Sequence, residues 1–265
     1  MILTSSHNPR IKQAIKLRDK RMRDHTQTFI IEGYRELSLA VGHYIHLKTL
    51  FYSPFHFLGS NERTLIERVS AQHVPIFEVH HALFERLSYR DRPDGLLAIA
   101  AQNPLTLSDL KLKQEHPSFF LVAESIEKPG NLGSMLRSAD AAGVDALLVC
   151  DRCTDIYNPN VVRASVGTLF TIPVLEVTSD EAIEYLRNNG IRIVATSPDA
   201  KSIFTQVDFS QSVAIVVGTE QIGLSPQWME CADIAVKIPM RGIADSLNVA
   251  AATTLLLYEV LRKRA

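Results

Sequence analysis

The chain has little of what would place it in a specialised class. Its 265 residues hold three cysteines, an odd number for a disulfide framework. Cys150 and Cys153 form one CxxC, but no second pair or histidine cluster completes a metal site, so no metal is expected and Cys150 reads as the buried end of a strand. No apolar run reaches the length of about eighteen residues that a membrane helix needs. The opening MILTSSHNPRIKQ has no apolar core ahead of a small-residue cleavage site, so the expectation is a cytoplasmic protein with no membrane partner. No G-x-G-x-x-G follows a strand, which argues against a nucleotide-binding oxidoreductase of Rossmann type. Charge of one sign is also lacking: 28 basic and 29 acidic residues leave a formal net charge of −1. Any polyanion-binding surface must therefore be local.

One such asymmetry stands near the start. RIKQAIKLRDKRMR carries Arg10, Lys12, Lys16, Arg18, Lys20, Arg21 and Arg23 against the single acid Asp19, with Ile11, Ile15 and Leu17 near helical spacing. A basic amphipathic helix is expected. A solvated surface helix would also account for it, but so many cations on one short element repel one another unless a polyanion neutralises them. Arg10, Lys12, Lys16, Arg18, Arg21 and Arg23 are therefore the candidate RNA-binding residues.

From Phe29 the pattern alternates strand and helix: FIIEG, a helix from Tyr34, LKTLFYS, a helix from Glu62, PIFEV, a short helix from His80, and GLLAIAA. Four strands with helices between them make a compact α/β unit, residues 1–102, suited to binding rather than catalysis. NPLTLSDLKLKQEHPS, polar and bounded by prolines, is the natural linker over 103–117. From 118 to 265 the strands FFLVAES, ALLVC, Ile172 to Val177, IRIVATS, VAIVVG and IAVKIP alternate with helices. Apolar runs of this kind suit a mostly parallel sheet covered on both faces. Its ligands are expected beyond the carboxyl ends of the strands.

Three loops fall there. ESIEKPGNLGSMLR offers Asn131 as a helix cap, Gly133 for close approach and Arg137 on the helix that follows. GTEQIGLS sets Glu220 between the turn-forming Gly218 and Gly223. IPMRGIADSLNVAAA places Asp245 or Ser246 as the cap of a small-residue helix, with Asn248 beside it. Each loop alone is no more than a glycine-rich turn or a capped helix. By its residues the third suits an oxygen-rich ligand at a helix N-terminus.

Together, in order and spacing, NLGSMLR, GTEQIGLS and IPMRGIADSLNVAAA resemble the three signature motifs of the SpoU/TrmH family of RNA ribose 2′-O-methyltransferases, in the SPOUT superfamily. The resemblance covers about Ser118 to the C-terminus, and the first half is similar to the substrate-binding domain of many members, a small α/β fold shared with RNA-binding ribosomal proteins. It implies a deep trefoil knot, a homodimer, and S-adenosyl-L-methionine as cofactor, in place of the oxygen-rich ligand. It further implies Asn131, Arg137, Glu220, Ser246 and Asn248 as catalytic residues, and cofactor contacts near Thr196, Gly218, Ile238 and Leu247. Lys128, Asp245 and Ala250 stand where the commoner pattern has an acid, a Glu and a Ser. The implied activity is ribose 2′-O-methylation of structured RNA. Large-subunit ribosomal RNA is the expected substrate; tRNA, or RNA binding without catalysis, are the alternatives.

Overall fold

The computed structural model describes residues 2–112, 115–151 and 154–265; Cys153 of the CxxC lies outside them. In chain order the first elements are β1 (Ile2–Leu3), α1 (Pro9–Lys16), α2 (Lys20–Thr26), β2 (Thr28–Glu32), α3 (Tyr34–Gly42) and β3 (Leu47–Tyr52). Next come α4 (Glu62–Ser70), β4 (Ile76–Val79), α5 (His81–Leu87) and β5 (Leu96–Ala101). After them run β6 (Phe119–Glu124), α6 (Pro129–Ala141), β7 (Ala146–Cys150), α7 (Pro159–Ser165), β8 (Val174–Val177) and α8 (Ser179–Asn188). The chain ends with β9 (Arg192–Thr196), β10 (Ser202–Ile203), β11 (Val213–Val217), α9 (Pro226–Cys231), β12 (Ile234–Lys237) and α10 (Val249–Arg264). Two compact units result. One comprises 1–103 with 155–171, the other 104–154 with 172–265.

The first unit has a five-stranded mixed sheet in the order β1-β4-β3-β5-β2, with one strand, β1, that composition does not reveal. Alternate strand residues Ile30, Phe51, Leu97 and Ile99 meet Ile11, Ala14 and Leu17 of the first helical segment and Leu83, Phe84 and Leu87 of α5. The expected single basic helix is two helices, because Asp19 caps α2 by accepting from the Arg21 N–H at 2.8 Å.

The break has consequences for two residues expected to bind RNA. Arg23 is buried: it donates to the carbonyls of Leu17 at 2.8 Å and Arg18 at 2.9 Å and pairs with Asp155 at 2.5 Å. It closes the end of α1, whose last carbonyls would otherwise lack donors. Arg18 donates to the carbonyls of Arg86, Leu87 and Ser88 at the end of α5. The Arg23 guanidinium is not available to a phosphate, and Arg18, half-buried, has its Nη2 committed to those carbonyls.

The segment 155–171, read from sequence as part of the C-terminal domain, belongs to this unit. Besides Asp155, it brings Tyr157 to 4.6 Å from the Phe29 ring, and its Tyr157 hydroxyl accepts from the Asn103 N–H at 3.0 Å. Gly167, at φ +90°, lies so close to α3 that a Cβ would meet Leu39 Cδ1 at 2.8 Å and Glu36 Cα at 3.1 Å.

The second unit is a seven-stranded, wholly parallel sheet in the order β10-β12-β9-β11-β6-β7-β8. β6, β7 and β11 are buried along their whole length, as apolar runs covered on both faces should be. On one face Phe120, Val122, Leu148 and Val216 meet Ala182 and Leu186 of α8 and Trp228 of α9; α10 packs with α6 and β11. The stretch expected to be a polar linker lays Leu105, Leu107, Leu110 and Leu112 against this core. Its polar composition conceals an apolar strap, since those leucines are separated by serine, threonine, aspartate and lysine.

Candidate active site

Because every strand of this sheet points the same way, the loops leaving β6, β9, β11 and β12 open on one edge. Register aligns them: Val217 pairs with Ala123, Val216 with Ala195, and Val236 with Thr196. Gly218, Ile238 and the turn into α6 therefore begin within one or two residues of the same level. Thr196 donates its hydroxyl to the Val216 carbonyl at 2.9 Å, which ties β9 to β11 at that edge.

Three loops meet through one amide. Asn131 Nδ2 donates to Glu220 Oε1, and Asn131 Oδ1 accepts from Asn248 Nδ2 at 3.1 Å. Asn248 Oδ1 in turn accepts from the N–H groups of Ala250 at 3.0 Å and Ala251 at 3.4 Å. Asn248 is thus the N-cap of α10. The expectation that Asp245 or Ser246 caps this helix is corrected: both are exposed, and Ser246 Oγ donates to Asp245 Oδ1 at 3.4 Å. Asn131 is likewise no cap. α6 starts at Pro129, as a proline at the first helical position favours, and Asn131 lies in the first turn with its side chain free to reach across.

The second loop is drawn into a closed turn. Thr219 and Gly223 exchange main-chain hydrogen bonds at 3.1 and 3.2 Å, and the Ile222 N–H donates to Thr219 Oγ1 at 3.1 Å. A Cβ on Gly218 would collide with Gly223 and would lie 2.6 Å from the Leu224 nitrogen, so the turn requires glycine there. Glu124, at the end of β6, holds the far side by accepting from the Ser225 N–H at 2.9 Å. The sequence reading missed Glu124; its only signal is an acid closing an otherwise apolar strand. It also missed the 2.7 Å hydrogen bond between Ser138 Oγ and Thr254 Oγ1 that joins α6 to α10.

Arg137 is exposed on α6, with no side-chain hydrogen bond or ion pair among the described residues. Ile238 is half-buried and Leu247 is 39% exposed. Neither uses its main-chain N–H or C=O within the described residues. Of the candidate RNA-binding residues, Lys12, Lys16 and Arg21 are exposed, and exposed Arg10 lies over the Phe77 ring at 4.7 Å. Among the described residues no three His, Cys, Asp or Glu side chains are grouped to hold a metal.

The family model of the SpoU rRNA methylases matches residues 118–258. The chain belongs to the SpoU rRNA methylase family. A model of the MRM3-like substrate binding domain matches residues 8–98. The chain is 32% identical to the 23S rRNA (uridine(2479)-2′-O)-methyltransferase of Streptomyces viridochromogenes over 98% of this chain and 92% of that protein. A solved RNA 2′-O ribose methyltransferase is 39% identical, covering 100% of this chain and 99% of its own, with a TM-score of 0.86. The AdoMet-bound rRNA methyltransferase of Sinorhizobium meliloti is 30% identical, covering 99% and 97%, with a TM-score of 0.89. Likeness to SpoU methylases thus extends across both units of the fold.

In this SpoU methylase the Asn131 bridge can be tested directly. Asn131→Asp sets one carboxylate against another at Glu220, and should cost about 1–3 kcal/mol of stability, read as a lowered urea midpoint. Adding Glu220→Gln restores a donor opposite the new acceptor and should recover most of that loss. Additive losses in the double variant would show that the two residues are not coupled.

Proposed function

We propose that this chain transfers a methyl group from S-adenosyl-L-methionine to a ribose 2′-hydroxyl of large-subunit ribosomal RNA, in the cytoplasm. The observation that carries the reading is the Glu220–Asn131–Asn248 chain, which locks three motif loops together at the carboxyl edge of a parallel sheet. The substrate follows the Streptomyces viridochromogenes relative, whose name specifies 23S rRNA. The cofactor follows the Sinorhizobium meliloti structure, solved with AdoMet. The site suits such a ligand: unused main-chain groups at Ile238 and Leu247 can read an adenine edge, and the tight turn after Gly218 leaves backbone in place of side chains at the strand end.

The bound cofactor supplies an electrophilic methyl group on a sulfonium. The protein must hold the ribose oxygen in line with it, and such positioning is worth about 7–11 kcal/mol in well-oriented reactions. Arg137 is an exposed cation on α6, the helix whose first turn holds Asn131. A guanidinium stays protonated in proteins, so Arg137 acts as an anchor for the target phosphate and for developing alkoxide charge. The proton leaves to that phosphate, to water or to a carboxylate such as Glu220. Asn131 and Asn248 keep Glu220 and the start of α10 in register, while Ser246 offers a hydroxyl from an exposed loop.

The reading includes a trefoil knot and a homodimer. Supporting the first, β12 lies beyond β9 from β11, yet the chain returns after it to pack α10 against α6 and β11. Supporting the second, Ala251, Leu255 and Tyr258 form one exposed stripe of α10 at helical spacing, the last two 46% and 45% exposed.

Ribose-methylation mapping of total RNA from cells with and without the gene should reveal a large-subunit site that loses its methyl group. Loss at a tRNA site alone, or at no site, refutes the assignment. Arg137→Lys should lower turnover by about a hundredfold or more, in the range seen when a charge-stabilising donor is lost; near-normal turnover would remove bidentate anchoring from the mechanism. Leu255→Asp combined with Tyr258→Asp should convert a dimer to monomer in sedimentation, and a wild-type monomer would contradict the homodimer.

A further inference from the structure

A cavity of about 810 Å³ opens in the first unit, and none of the residues assigned to methyl transfer lines it. Its floor is acidic in composition, and those acids are engaged, Glu62 and Asp94 through one oxygen each; Glu62 Oε2 and Asp94 Oδ1 are buried without a hydrogen-bond partner among the described residues. Arg90 pairs with Glu36 at 2.5 Å and lies 3.8 Å from Asp94. Asp94 also accepts from the Tyr34 N–H at 2.8 Å. Glu62 accepts from the N–H groups of Leu58 and Gly59 at 3.1 and 2.8 Å. All three carboxylates belong to buried residues. Burial pushes the Glu36 carboxyl above its ordinary range, against the opposing pull of Arg90.

The mouth is different. Arg35 on α3, Arg92 between α5 and β5, and Arg163 on α7 line the cavity and are exposed. None has a side-chain hydrogen bond or ion pair among the described residues, and Asp91 is the exposed acid beside them. At the exposed rim three guanidiniums stand against the one carboxylate of Asp91, while the lining as a whole, with Arg90 against Glu36, Glu62 and Asp94 deeper in, holds four charges of each sign. The planar donor fork of arginine matches two phosphate oxygens at once. Leu58, Gly59 and Asn61 form another part of the wall. The loop that carries them also exposes Phe55, 75% accessible and within 4.8 Å of the His81 ring. Exposed rings of this kind offer a stacking surface for an unpaired base.

We infer that this cavity is an RNA phosphodiester site, in which Arg35, Arg92 and Arg163 hold the backbone of a looped or single-stranded segment of the substrate. The inference rests on the RNA methyltransferase reading and moves the main phosphate contacts of this unit away from α1 and α2. Arg163 joins the site because the segment 155–171, late in the sequence, folds with the first unit.

The test compares the full-length protein with its Arg35→Ala/Arg92→Ala/Arg163→Ala variant in filter binding to in vitro transcribed large-subunit ribosomal RNA, from about 50 to about 200 mM salt. Each single-strand phosphate contact contributes about 0.7 to the log–log salt slope, so the variant should lose about two units of slope. Its affinity should fall at least tenfold at the low-salt end, with thermal unfolding and S-adenosyl-L-methionine binding unchanged. The corresponding triple Arg→Lys variant keeps the charges and should keep the slope. Wild-type slope and affinity in the alanine variant, alongside loss in an Arg10→Ala/Lys12→Ala/Lys16→Ala variant, would overturn the site and leave the methyltransferase reading standing. Binding of AMP or inorganic phosphate that the alanine variant loses while its RNA binding is unaltered would also overturn it, in favour of a small anion. A wild-type protein that binds no ribosomal RNA would overturn both readings.

Discussion

The active edge depends on the orientation of one carboxamide. Asn131 presents its nitrogen to Glu220 and its oxygen to Asn248. With the amide reversed, oxygen would face a carboxylate and NH₂ would face NH₂, and both bonds would become repulsions. Only one arrangement satisfies the set. Since Asn248 also caps α10 with its own oxygen, its amide is fixed as well, and the direction of donation runs without choice from the helix N-terminus to Glu220. Three loops that leave three different strands are thereby held as one object.

That bridge works only on a rigid frame. Parallel strands deliver their loops to the same edge, and the buried valines, leucines and alanines of β6, β7 and β11 leave the sheet no polar side toward which it could slip. Gly218 then permits the chain to turn back on itself where a side chain would collide with Gly223. Glu124 and the Thr196 hydroxyl fasten neighbouring strands at the same level. A half-buried polar chain is worth little unless each member is satisfied; here the frame brings the members within reach.

Much of this was legible in sequence. The alternation of apolar runs and helices and the parallel sheet followed from local patterns, while Asn131, Glu220 and Asn248 were joined as motif residues by the resemblance to the SpoU/TrmH family. What was not legible depended on distant partners. Asn131 looks like a cap because asparagine after Pro-Gly commonly is one, yet its acceptor lies 89 residues away. Ser246 is as good a cap by type as Asn248, and only the path of the loop decides between them. The leucines from Leu105 to Leu112 follow neither a helical nor a strand period, so no periodicity announces that they cover a core.

The arginines show most clearly why composition underdetermines function. By sequence, Arg23 is indistinguishable from Arg21, but it is buried against Asp155, 132 residues on. Arg264 donates to four main-chain carbonyls, of Pro117, Ser118, Phe209 and Gln211. Arg18, Arg23 and Arg264 all serve one purpose: a guanidinium carries five donors and no acceptor, so it can satisfy several orphaned carbonyls at a chain reversal that no backbone donor reaches. Such arginines are part of the architecture, and the donors they spend on carbonyls are not offered to a ligand. Arg35, Arg92, Arg137 and Arg163 have no such duty among the described residues. A net charge near zero is therefore compatible with direct contact to a polyanion, because the guanidiniums whose donors it can reach are those left over once the carbonyls and buried acids have taken theirs.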